Sequence, residues 1–304
     1  MSESETNLNY ITNSKLQVDL DICTKCESCV RECPLRLYYI RDEKLVVRKA
    51  ADILCMECGH CVAVCPVNAI KLNRFPVDQL IEISQGFKIP SYEMLINLIM
   101  ARRSVRQFKK IPVPEDLWQK LLEAGRYAPT GHNDQLVHFT IVRNQELLKQ
   151  FSDEITKGFL NIAELYKDKS KFKELKETIH ERSLKMLINQ VIPALPLTLK
   201  GIERGEEFWR WNGELMIIHA SKKTTTLIED CSVAACNIML AAELIGLGTC
   251  SLGIATAALN VIDNVKNLVN LPKNHIVAYA LAVGFPKVKY YRIPPRQPAK
   301  VTWL

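Results

Sequence analysis

The sequence predicts an α+β protein in two parts: a small cysteine-rich N-terminal domain and a larger domain of helices and strands. Three observations carry this expectation. Eight of the eleven cysteines fall between residues 23 and 65. Beyond residue 90, amphipathic stretches of helical period alternate with β-branched runs. The chain has 304 residues, 48% of them apolar, which is enough for one large core and one small one. The expected boundaries are a first domain over residues 1–75, a connector over 76–91, and a second domain over 92–304.

Eight cysteines form two copies of one pattern, C-x2-C-x2-C-x3-C-P. The first copy, CTKCESCVRECP, supplies Cys23, Cys26, Cys29, Cys33 and Pro34. The second, CMECGHCVAVCP, supplies Cys55, Cys58, Cys61, Cys65 and Pro66, at a period of 32 residues. Three thiolates at x2 spacing can take three corners of one iron–sulfur cube, and the fourth cysteine of each copy ligates the other cube. The expectation is two 4Fe–4S clusters, one on Cys23, Cys26, Cys29 and Cys65, the other on Cys55, Cys58, Cys61 and Cys33. The fourth cysteine with its proline is expected to start a helix leading across. Zinc sites pair C-x2-C units well apart, without a third cysteine at the next step. His60, inside the second copy, reads as a loop residue, because four thiolates already complete the shell. The segment over residues 19–72 resembles the bacterial two-cluster ferredoxins.

The opening residues are polar, with no secretion signal, and so many cysteines without an export signal argue for metal over disulfides. The cytoplasm is the expected location. The most apolar stretch, Val233 to Ile262, is broken by Asn237, Glu243 and glycines, and reads as buried helix and loop instead of a membrane span. The net charge is +7, and residues 1–90 hold 11 basic and 12 acidic side chains, leaving 29 and 21 for the rest. No basic run is interleaved with aromatics, so no nucleic-acid partner is expected. The basic excess suits anionic cofactors or an acidic redox partner.

Pro76, Gly86 and Pro90 punctuate the connector. Ser91 can cap a helix through Leu95, Leu98, Ile99 and Ala101. Pro114 opens a second helix with Leu117, Leu121, Leu122 and Ala124 on one face. GRYAPTGHNDQ is turn-rich, and LVHFTIVRN reads as a strand. Residues 152–212 form a charged, helix-prone insertion with many i,i+4 partners of opposite sign. It ends in Phe208, Trp209 and Trp211, which either line a lid or anchor the insertion.

ARRSVRQF and AGRYAPTGHNDQLVHFTIV resemble two signature blocks of the nitroreductase family. Thr130 stands where the family has serine, and Leu136-Val137 where it has Pro-Trp. MIIHA before Ser221, EDCSVAACNIMLAAELIGLGTCSLG and AVGFPKVKYYRIPPRQP resemble three later blocks: a central strand, a long helix with a flavin-side loop, and a final strand with a basic tail. The resemblance spans residues 92–304, weakly over 150–212. It implies a mostly antiparallel central sheet with helices, a homodimer, and FMN as cofactor. Arg102, Arg103, Ser104, Arg106 and Arg296 would hold the phosphate end and ribityl chain. Guanidinium forks suit a phosphate dianion. Pro129, Thr130, Gly131 and Asn133 would reach the partner subunit's flavin. Leu252 and Gly253 would bring a backbone N–H to the ring. The G-x-G-x-x-G spacing of a dinucleotide fold is absent.

Cys231 and Cys236 read as small helix residues. Cys250, His132 and His219 are candidate neighbours of the reaction, with a structural role the plainer reading of each. No protein acid or base stands out, as suits chemistry done by a cofactor. The resulting expectation is an iron–sulfur flavoprotein that passes electrons from two clusters to FMN. It would reduce a small electron-poor acceptor: a nitroaromatic, quinone, flavin or activated alkene. The donor is a one-electron protein or NAD(P)H. Two other readings stand beside it: an electron carrier to a partner protein, and an NAD(P)H nitroreductase whose first domain is a docking unit.

Overall fold

A computed structural model describes residues 10–83, 87–179, 181–204 and 213–304. Contacts divide them into two units: the residues up to Ile89 with His132–Asp134, and Pro90–Gly131 with Gln135–Leu304. The aromatic trio Phe208, Trp209 and Trp211 lies outside the described residues.

The first unit is built on the repeat. Strands β1 (Tyr10–Thr12), β2 (Leu16–Asp19) and β5 (Ile70–Leu72) form an antiparallel sheet in the order β1-β2-β5. Strands β3 (Tyr38–Arg41) and β4 (Lys44–Val47) form a hairpin. Between them lie three short helices, α1 (Ser28–Glu32), α2 (Ala51–Leu54) and α3 (His60–Ala63). Helices α1 and α3 correct one expectation: each carries the third cysteine of its copy and stops short of the fourth. Cys33 caps the C-terminus of α1, with its N–H bonded to Cys29 O. Cys33 is extended because the proline after it bars it from helical geometry, and α3 is capped one residue earlier, at Val64. Leu16, Val18, Leu37, Leu45, Ala51, Val62, Ile70 and Leu72 make a small core behind the cysteines.

The second unit begins with α4 (Tyr92–Ala101), capped by Ser91, whose hydroxyl accepts from Met94 N at 3.3 Å. Helix α5 (Glu115–Arg126) starts after Pro114 and buries Trp118, Leu121 and Gly125. Strand β6 (His138–Val142) leads to α6 (Gln145–Lys167), capped by Asn144. Helices α7 (Lys169–Thr178) and α8 (Glu181–Met186), a π-helical turn at Leu187–Val191, and α9 (Ile192–Glu203) follow. Then come β7 (Glu214–Ser221), α10 (Leu227–Leu244), β8 (Gly248–Ser251), α11 (Gly253–Val261), α12 (Asp263–Leu268) and β9 (His275–Gly284).

The four strands pair antiparallel in the order β6-β7-β9-β8. Side chains alternate between faces, so each strand feeds two cores. Leu215, Ile217, Ala280 and Ala282 meet Phe151, Ile155 and Phe159 of α6 on one side. Met216, Ile218, Ala278 and Leu281 meet α5 and α10 on the other. A strand covered on both faces reads as a continuous apolar run, which is how β7 appears in the sequence. The charged insertion thus contributes core: α6 starts at Gln145, before the expected boundary of 152, and buries one apolar face. Glu214 locks α5 to the sheet. Its buried carboxylate accepts from Val113 N at 3.0 Å and Trp118 Nε1 at 2.8 Å, and pairs with Arg143. Among the described residues no helix is long and apolar enough to cross a membrane.

Candidate functional site

In the first unit the eight repeat thiols line two cavities. Cys23, Cys26, Cys29 and Cys65 line one, with Val67, Ala69 and Ile70 among its walls. Cys33, Cys55, Cys58 and Cys61 line the other, with Leu35, Leu37 and Tyr38. All eleven cysteines of the chain are free thiols. Among the described residues no three His, Cys, Asp or Glu side chains converge as ligands of a single ion. Each cavity brings together four thiols, the donor set of a 4Fe–4S cluster.

The loops reach this arrangement by bending through left-handed backbone at Lys25, Glu27 and Glu57, and at Gly59 with φ 82°. Backbone N–H groups turn toward sulfur: Leu37 N to Cys33 Sγ at 3.5 Å, Glu57 N to Cys55 Sγ at 3.4 Å, and Ala69 N to Cys65 Sγ at 3.2 Å. Burial pushes the Cys29 thiol up to about 11 and raises those of Cys55 and Cys61. Iron binding must therefore displace protons from these sulfurs. Lys15 Nζ donates to Cys55 O at 2.7 Å and brings a cation to the second cavity's rim. His60 lines that cavity as well. The Asn133 amide donates to Glu57 O at 2.9 Å, and Arg74 donates to the carbonyls of Asn133 and Asp134, all inside the first unit. His132 belongs to the same unit, exposed, with φ 53°.

In the second unit the segment after α4 lies against strand β8. Arg102 ends the helix, Ser104 bridges Thr249, and Val105 N donates to Thr249 O at 2.9 Å. The close approach requires Gly248, since a Cβ there would fall 2.6 Å from Val105 Cγ2. Arg102 and Arg106 flank the buried thiol of Cys250 and pull its acidity one way, while burial pulls it further the other, so the thiol stays protonated. This environment does not activate a nucleophile. Arg103 lines a different groove, with Glu243, Tyr290 and Arg292, and Arg296 lies beyond it in the exposed C-terminal tail. Among the described residues Arg102, Arg103 and Arg106 make no ion pair. Guanidiniums without an ion-pair partner fit an anionic group.

The run GLGTCSLG, expected as a loop, contains strand β8, whose Cys250 pairs with Ala282. Leu252 is buried and Gly253 opens α11, so the Gly253 N–H is one of the donors a helix leaves without an internal partner. Of the 129–133 block, Pro129 is exposed and Thr130 Oγ1 accepts from Gln135 N at 3.0 Å. Gly131 N donates to Asp230 Oδ1 at 3.0 Å. A side chain at Gly131 would collide with Thr226. The Asp230 Oδ2 and Thr226 Oγ1 atoms are buried without hydrogen-bond partners among the described residues. Asp230 and Thr226 escape sequence reasoning, since no local pattern ties them to a loop about a hundred residues earlier.

His219 is buried in a cluster with His138 and His275. Its Nδ1 is 2.7 Å from His275 Nδ1, and its Nε2 is 3.0 Å from Thr140 Oγ1. Burial, then the other two rings, lower its pKa to about 4. Cys250 is level with Leu215 through Ala282. His219 is four residues further along β7, roughly 13 Å at the rise of a strand. It therefore does not join the arginine segment.

Residues 99–285 match the nitroreductase family, and residues 15–66 match the 4Fe-4S dicluster domain. A protein of Archaeoglobus fulgidus, provisionally named NADH dehydrogenase/NAD(P)H nitroreductase, is 26% identical over 200 residues, covering 64% of this chain and 87% of that one. One of the same name from Methanothermobacter thermautotrophicus is 23% identical over 192 residues, 63% of this chain and 77% of that one. The crystal structure of a Bacteroides fragilis nitroreductase with bound FMN superposes with a TM-score of 0.50 at 22% identity, covering 69% of this chain and 98% of the other. The chain belongs to the nitroreductase family, as an oxidoreductase that carries a 4Fe–4S dicluster domain ahead of its family domain.

Proposed function

We propose that this chain is an iron–sulfur flavoprotein that holds two 4Fe–4S clusters and FMN, and reduces a small electron-poor acceptor. The observation that supports it most is the sorting of eight thiols into two cavities of four, each taking one cysteine from the other copy of the repeat. Cys23, Cys26, Cys29 and Cys65 would hold one cluster, and Cys55, Cys58, Cys61 and Cys33 the other.

In the family domain Arg102, Ser104 and Arg106 would hold the anionic end of FMN, with Arg103 and Arg296 adding positive charge nearby. Leu252 and Gly253 would present a backbone N–H to the ring, and Pro129, Thr130, Gly131 and Asn133 would serve the flavin of a partner subunit. Bound FMN supplies the step that clusters lack: it takes electrons singly and delivers them in pairs. Asp230 would hold the 129–131 turn by the Gly131 N–H. Burial keeps the Cys250 thiol protonated and out of the chemistry.

A homodimer fits the surface of α4. This apolar helix buries no residue, and Met94, Leu95, Ile99 and Met100 are all exposed. The C-terminal tail likewise exposes Tyr291 and Trp303. A second copy covering these faces would remove an apolar patch that single chains rarely keep.

The names of the archaeal relatives favour a second reading of the donor, with NAD(P)H feeding the flavin directly and the dicluster domain as a docking unit. Anaerobic protein mixed with a reduced ferredoxin, and separately with NADH or NADPH, distinguishes the two at the flavin absorbance band. Faster reduction by ferredoxin supports the cluster route, and faster reduction by NAD(P)H supports docking. Bleaching by neither donor, in protein containing FMN and iron, counts against both. Iron and sulfide assays that return zinc and no sulfide would end the cluster reading.

A further inference from the structure

The repeat overlays the two cavities residue by residue. Thirty-two positions separate Cys33 from Cys65, Leu35 from Val67, Leu37 from Ala69, and Tyr38 from Ile70. The first member of each pair lines the Cys55 cavity, and the second lines the Cys23 cavity. Leu37 and Ala69 even donate their N–H groups to equivalent sulfurs. Tyr38 and Ile70 are both 3% exposed, so the same buried wall position carries a hydroxyl in one cavity and a hydrocarbon in the other.

That hydroxyl is out of place for a core residue. Tyr38 OH is buried and makes no hydrogen bond among the described residues. Buried hydroxyls ordinarily find a partner, and phenylalanine would fill the space without the penalty. Tyr38 and Cys61 line the same cavity and pack in the same small core. A phenol hydroxyl facing a thiolate donates to it, since the thiolate has no proton to give. A cluster-bound thiolate at Cys61 would be the missing acceptor.

We propose that Tyr38 donates a hydrogen bond to the Cys61 sulfur of the second cluster and raises the reduction potential of that cluster alone. The inference rests on the two-cluster reading above. A reduced cluster carries one more negative charge, spread partly onto its thiolates, so a donor stabilises the reduced form more than the oxidised form. Ile70 offers the first cluster nothing comparable. Ser28 Oγ lies 3.4 Å from Cys26 Sγ there, but at an exposed site that water already solvates. The asymmetry makes the second cluster the place where an arriving electron rests.

The test is a redox titration of the intact, cluster-loaded protein, followed by electron paramagnetic resonance, for the natural chain and Tyr38→Phe. The variant should keep its iron. One cluster should become about tenfold harder to reduce, a shift of about 59 mV for one electron, while the other stays in place. Unchanged potentials for both clusters, or equal shifts in both, would overturn the proposal. Should Tyr38→Phe lose iron, Tyr38→Met presents the same wall without a ring, and the same two outcomes decide. Natural protein with a single cluster's iron would sink the two-cluster reading instead, before Tyr38 is at issue.

Discussion

Replacing Asp230 with alanine separates the fold of the second unit from its proposed hold on FMN. The Asp230 side chain is buried at the start of α10 and accepts the Gly131 N–H at 3.0 Å through Oδ1. A hydrogen bond to a charged acceptor is worth about 1.5–3 kcal/mol. The other oxygen, Oδ2, is buried without a partner among the described residues. Removing it recovers a desolvation penalty of about 1–3 kcal/mol. The two terms nearly cancel for global stability, so the melting temperature of Asp230→Ala should move by only a few degrees, at about 2–4 °C per kcal/mol for a domain of this size. They do not cancel for the turn, which loses its anchor outright. FMN binding should weaken by up to that anchoring energy, about 10- to 150-fold in Kd. Asp230→Asn keeps the Oδ1 acceptor and adds donors beside Thr226 Oγ1, so it should bind FMN close to the natural level. The assay is flavin fluorescence quenching on FMN-depleted dimer, with a thermal melt of the same samples. Unchanged FMN affinity in Asp230→Ala would mean the 129–131 turn does not serve the flavin. A melting temperature falling by tens of degrees would mean the carboxylate is structural.

Arg102→Ala and Arg106→Ala should each weaken FMN binding by about 1–3 kcal/mol, the range for losing a bond to a charged group, with iron content unchanged. Full flavin retention in both would place the phosphate elsewhere. The buried His219 makes stability fall in acid. Its pKa is about 4 in the fold against an ordinary 6.5, so the unfolded chain binds the proton first as pH drops. Stability present above pH 6.5 should decline by about 3 kcal/mol on going to pH 4, and His219→Gln should flatten that part of the profile. A natural profile that is already flat between pH 6.5 and 4 would contradict the buried neutral ring. Sedimentation of the FMN-loaded protein should give twice the chain mass, and a monomer that binds FMN tightly would refute the shared site.

What the sequence made legible follows from how locally each feature is determined. Metal ligation fixes residue type and spacing together, so the cysteine repeat could be read directly, and the Ser91 cap and the β6 strand were legible for similar local reasons. GLGTCSLG reads as a loop because of its glycines, yet Gly248–Ser251 becomes an edge strand since β9 offers it a partner. The helix expected after each fourth cysteine does not form: Pro34 holds Cys33 extended at the end of α1, and α3 ends before Cys65. Asn144 reads as the end of a strand, yet it caps α6, its side chain accepting from Leu147 N at 2.9 Å. Tyr38 and Asp230 were invisible for a different reason: one matters through the overlay of two repeats, the other through contact with Gly131.

If electrons reach the flavin through the clusters, Cys58→Ala should cut that route. The substitution removes one ligand from the second cavity, while the second unit, with its separate core, should still fold and hold FMN. Turnover with a nitroaromatic or quinone acceptor is measured twice, once driven by a reduced one-electron carrier protein and once by a small chemical reductant that reaches the flavin unaided. The first rate should collapse and the second survive. Equal rates for the variant and the natural protein under the carrier would contradict it, because electrons would then be bypassing the clusters.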